Sequence, residues 1–130
     1  MYIRFITGEI HDNTSHEVGV FQAAYGLRRN RHLLEHEEAR LTELLDWFNA
    51  NLPKPTRLTT SKPPYYRKQN RAISWFKDIA TEHISKLREV VSILNEHDVH
   101  TEMIQTDRPG YIVYEDNYQI VAEAFSDADF

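Results

Sequence analysis

The chain has 130 residues, of which 41% are hydrophobic, and carries a formal net charge of -5. A domain of about 100–150 residues needs one core, so a single α+β domain over residues 1–130 is expected, without a second independent core. There is no cysteine, which excludes disulfides, thiolate zinc sites and cysteine nucleophiles.

The first eight residues are too polar and too short for a signal peptide, and no run approaches the roughly 20 apolar residues of a membrane span. A cytoplasmic protein without a membrane partner is therefore expected. The charge is unevenly spread. Trp47 to Lys77 holds seven basic residues and no acidic one, while Glu96 to Phe130 holds nine acidic residues against Arg108 alone. This layout excludes an all-over nucleic-acid-binding surface and leaves room for one local anion site.

In chain order, residues 2–7 alternate as a strand, with Ile3 and Phe5 on one face and Tyr2, Arg4 and Ile6 on the other. The polar stretch 9–17 reads as a solvated loop. It holds Glu9, His11, Asp12, His16 and Glu17 but lacks the glycine and alternating acids of a calcium loop. A helix follows over 18–29 and closes on Arg28, Arg29 and Arg31, cations that suit the negative end of a helix dipole. A second helix over 35–51 places Leu41, Leu44, Leu45, Phe48 and Leu52 on one face, with Glu35, Glu37 and Glu38 in its first turn. His32, Glu35 and His36 match an inverted zinc-peptidase spacing. A chance five-residue match in a chain with seven histidines is the better explanation, and no metal or other cofactor is assigned.

Pro53 and Pro55 stop that helix, and an irregular basic loop is expected over about 53–69. Its Tyr65 and Tyr66 stand among Lys62, Arg67 and Lys68, a mixture that could track a phosphate backbone while rings stack on bases. From 70 to 96 the residues Ile73, Phe76, Ala80, Leu87, Val90 and Leu94 recur at spacings of three and four, with His83 in the one polar slot. This predicts the longest helix, capped by Asn70. Arg67, Lys68, Arg71 and Lys77 would then crowd its positive end, where a bound anion would relieve them.

Three strands are expected at 99–106, 111–115 and 118–124, pairing with the N-terminal strand in a mainly antiparallel sheet packed against the three helices. Pro109-Gly110 fits a type II turn, and Asp116-Asn117 a two-residue hairpin turn that would set Glu115 opposite Tyr118. Tyr111, Tyr114 and Tyr118 make this an acidic aromatic hairpin, followed by a loose acidic tail at about 126–130.

No nucleophile elbow, phosphate loop or dinucleotide fingerprint is present. His83 stands as the one weak catalytic candidate, and the enzyme question leans to no. The leading expectation is a non-catalytic protein-binding or regulatory module. It would use Tyr65, Tyr66, Tyr111, Tyr114 and Tyr118 on a protein partner. The alternative is a nucleic-acid- or phosphate-ligand-binding protein, or a small enzyme, using Arg67, Lys68, Arg71 and Lys77.

Overall fold

The computed structural model describes residues 1–10, 17–30, 33–56 and 72–128, and their side chains except at 8–10, 17, 18 and 30. The architecture is α+β. In chain order it runs β1 (Tyr2–Ile10), β2 (Glu17–Gly19), α1 (Val20–Asn30), α2 (Glu35–Asn51) and β3 (Ala72–Lys77). After these come α3 (Thr81–Glu96), β4 (Thr101–Thr106), β5 (Tyr111–Glu115) and β6 (Gln119–Glu123). The chain forms two compact units. One comprises Phe5–Pro53 and Thr81–Ile104, the other Met1–Arg4, Lys54–Ala80 and Gln105–Phe130.

The first unit holds the three helices, each in contact with the other two. Leu41, Leu44, Leu45 and Phe48 of α2 are buried, as are Ile84, Leu87, Val90 and Leu94 of α3 and Val20, Ala24 and Leu27 of α1. Burying one such leucine or valine contributes about 1.5–3 kcal/mol, so the apolar faces hold this bundle together. Phe21 meets Phe48 edge to face at 5.0 Å, fastening α1 to α2. On the outer surface Arg40 of α2 bridges Glu43, at 2.8 Å, and Glu89 of α3.

Both ends of α2 follow from local chemistry. Leu34 occupies the N-cap position without a side-chain acceptor, and Glu37 reaches back to take the Leu34 N–H at 3.1 Å. That is the glutamate half of a capping box, with the carboxylate at the positive end of the dipole. At the other end the Leu52 N–H donates to Phe48 O at 2.9 Å before Pro53 prevents continuation. Helix α3 ends in a Schellman motif: Val99 N–H donates to Leu94 O at 2.9 Å, and Asp98 N–H to Asn95 O at 3.2 Å. Asp98 takes the left-handed residue of that motif, with φ 63°.

Within the same unit the second half of β1 pairs antiparallel with β2, Ile6 opposite Gly19 and Ile10 opposite Glu17. The expected polar loop is therefore shorter than predicted, because both its ends are strand. Residues 11–16, with His11, Asp12 and His16, lie outside the described residues, as do Arg31 and His32. The start of α1 shifts to Val20 because Glu17–Gly19 is taken up by β2.

The second unit is organised by β3 and β6. Ala72 pairs with Glu123, Ile73 with Ala122, Ser74 with Val121, Trp75 with Ile120 and Phe76 with Gln119, all antiparallel. On its other side β3 pairs with the start of β1, Ile3 opposite Phe76 and Tyr2 opposite Lys77. Beyond β6 lies β5, and β4 pairs with β1 off this path.

This corrects the expected helix over 70–96. Residues Ala72–Lys77 are a strand, the Ala80 N–H donates to Lys77 O at 3.0 Å to close a turn, and the helix begins at Thr81. Ile73, Phe76 and Ala80 satisfy a helical period, but Ile73 and Trp75 also alternate with Ser74 and Phe76. Bulky β-branched and aromatic side chains suit a strand, and Ile73, Trp75 and Phe76 are buried here while Ser74 is exposed. Every residue of the neighbouring β6 is buried, so β3 gains a covered strand to pair with. With this shift α2, at 17 residues, exceeds α3, at 16.

Candidate interaction surface

The β5–β6 hairpin is shaped by three local devices. Gly110 enters β5 with φ 129°, and a Cβ there would fall 2.0 Å from Glu123 O, so only glycine allows the chain to approach β6 this closely. In the middle, Tyr111 stands opposite Glu123 and Ile112 opposite Ala122, whereas Tyr114 already stands opposite Val121. The register slips by one residue, a bulge at Val113 that bends β5. At the tip, Glu115 lies opposite Ile120, and Asp116 N–H donates to Gln119 O at 3.0 Å.

The tip corrects the expected two-residue turn and its Glu115–Tyr118 register. Asp116 is the cause. Its Oδ1 accepts the backbone N–H groups of Tyr118, at 2.8 Å, and Gln119, at 3.1 Å. Its Oδ2 accepts the Tyr114 hydroxyl at 2.8 Å and the Gln119 side-chain amide at 3.0 Å. An aspartate that captures the backbone beyond it in this way widens the turn. Burial alone would raise the Asp116 carboxyl, and the four bonds outweigh it, so its pKa lies below the ordinary value. The same contact raises the Tyr114 hydroxyl, because a phenol donating to a carboxylate gives up its proton less readily.

The tyrosines of the hairpin therefore divide. Tyr114 is half-buried and committed to Asp116, and Tyr118 is half-buried with its carbonyl accepting the Lys77 N–H at 2.9 Å. Tyr111 is different. It is 62% exposed, beside Ile112 at 46%. Tyr111 meets Phe125 edge to face at 4.7 Å, and the Arg108 guanidinium lies 4.4 Å over the other aromatic partner, Phe125. Arg108 Nη1 also contacts both carboxylate oxygens of Asp127, at 3.1 and 3.0 Å, and the cation holds the Asp127 carboxyl below its ordinary value. Among the described residues β5 pairs on one side only, with β6. Ile112 and Arg108 were not singled out from sequence. No sequence signal separates Ile112 from the other apolar residues of β5, because its exposure depends on what the other elements cover.

No family model, no curated protein and no solved structure matches this chain.

Of the other predicted site residues, Lys77 and His83 are described and lie in different elements. Lys77 lies in β3, not at a helix N-terminus, and its Nζ is 2.6 Å from Glu115 Oε2. Arg67, Lys68 and Arg71 lie outside the described residues, as do Tyr65 and Tyr66. The convergence of four cations on a helix dipole thus loses its premise at Lys77, since the helix starts only at Thr81.

His83 is 5% exposed, in the first turn of α3. Its Nε2 lies 3.0 Å from the backbone oxygen of Asn51, and since a carbonyl only accepts, the ring nitrogen donates. Trp47 meets the imidazole edge to face at 4.8 Å and is itself covered by the Lys86 ammonium at 5.0 Å. His83 thus satisfies a carbonyl at the C-terminal end of α2, a structural duty that accounts for its place on the apolar stripe.

Elsewhere in the helical unit an open groove of about 450 Å³ is lined by Phe5, Arg88, Val91, Ser92, Asn95 and Glu96. Arg88 stacks over Phe5 at 5.8 Å and donates to Met103 Sδ at 3.6 Å, while Asn95 Oδ1 accepts from the Thr101 N–H and hydroxyl. Among the described residues no three histidine, aspartate or glutamate side chains converge as a metal site, and no helix is long and apolar enough to cross a membrane.

Proposed function

We propose that this protein is a non-catalytic protein-binding or regulatory module that engages its partner through Tyr111 and Ile112. The observation that carries this reading is the exposure of these two adjacent large side chains on a strand paired on one side among the described residues. Aromatic residues and arginine are enriched at protein interfaces, where a ring buries much area at little entropic cost. Here Tyr111 and Phe125, with Arg108 over the latter, form such a set.

The bulge at Val113 bears on how a partner would dock. It breaks the even two-residue spacing that an added strand would need along the outer edge of β5. Contact is therefore made by side chains: Tyr111 and Ile112 project to opposite faces of β5, so the partner grips the end of this strand from both sides. A cytoplasmic setting accompanies this reading, in keeping with the cysteine-free composition.

The test is a paired capture experiment with the wild-type chain and the double variant Tyr111→Ala, Ile112→Ser. Both residues are exposed, so the variant is expected to keep its far-ultraviolet circular dichroism and melting temperature. A protein retained by the wild type and lost by the variant supports the assignment. An identical set of retained proteins, or none with either chain, overturns it.

A further inference from the structure

We draw no further inference here: the strongest candidate, the exposed pair Tyr111 and Ile112 at the start of β5, belongs to the site already described, and nothing in the structure shows what covers it.

Discussion

His97 Nε2, just beyond the end of α3, lies 3.0 Å from Oε2 of Glu37 in the first turn of α2. The pair joins the positive end of one helix to the negative end of another, and each dipole favours the charge that its residue can carry. Glu37 is buried, and both its oxygens are engaged, one by His97 and one by the Leu34 N–H.

The His97 contact, followed by the Leu34 N–H, holds the Glu37 carboxyl below its ordinary value of 4.5, against the opposing effect of burial. A carboxyl so lowered binds its proton less readily in the folded chain than in the unfolded one. Its contribution to stability is therefore complete above 4.5 and is lost as the pH falls through the lowered folded value. Thermal unfolding followed from neutral pH into acid is expected to show a steeper loss for the wild type than for Glu37→Gln. Parallel profiles would show that the contact contributes no pH-dependent stability.

Asp98 offers a stabilising change. It holds φ 63° in the Schellman motif that ends α3, a conformation that costs glycine nothing and a side-chain-bearing residue more. Asp98→Gly is expected to raise stability by about 0.5–1 kcal/mol, offset in part by the greater freedom of glycine in the unfolded chain. Urea denaturation measures this, and an unchanged or lower midpoint would contradict it.

Gly110 is expected to be the least replaceable residue of the hairpin. A methyl group there would fall 2.0 Å from the Glu123 oxygen and 2.6 Å from its carbonyl carbon, both backbone atoms, at a φ that side chains rarely adopt. Gly110→Ala is expected to cost about 3–5 kcal/mol by combining backbone strain with overpacking. Amide hydrogen exchange should show the loss concentrated in β5 and β6. A variant with the wild-type melting temperature would contradict the close approach.

Asp116 sets the tip of the same hairpin. Asp116→Ala removes the acceptor of four hydrogen bonds and is expected to cost about 2–3 kcal/mol. Asp116→Asn keeps an oxygen for the two backbone N–H groups and should cost less. Equal losses in the two variants would show that the carboxylate's second oxygen, not the turn, matters most.

His83→Leu preserves much of the apolar volume near Trp47 and Phe48 but leaves the Asn51 carbonyl without this donor. The expected loss is about 1–2 kcal/mol in urea denaturation. A variant as stable as the wild type would remove the structural account of this histidine.

Local signals were strong where one period stood alone. Residues 35–51 carry an unambiguous three-and-four apolar spacing, glutamates in the first turn and Pro53 after the last, and α2 occupies that span. Such signals act within a turn or two of helix, so they survive whatever the rest of the chain does. The α+β class was legible from the strand-like N-terminus beside helical stripes, and β5 from its β-branched and aromatic run between two turn signals.

Ala72–Lys77 shows where that reach ends. Its six residues satisfy a helical and a strand period together, and the choice fell to partners distant in sequence, since β6 presents a buried five-residue ladder to pair with. The same holds at the proposed surface. Composition placed three tyrosines in the hairpin, but the commitment of Tyr114 to Asp116 and the exposure of Tyr111 are set only in the folded chain. What the sequence determined alone was each element whose hydrogen bonds and apolar face are set by near neighbours. The tertiary structure decided the strand β3 and the role of His83, because in each the deciding hydrogen bond comes from another element, whereas the hairpin register follows from the bonds of Asp116 to its near neighbours.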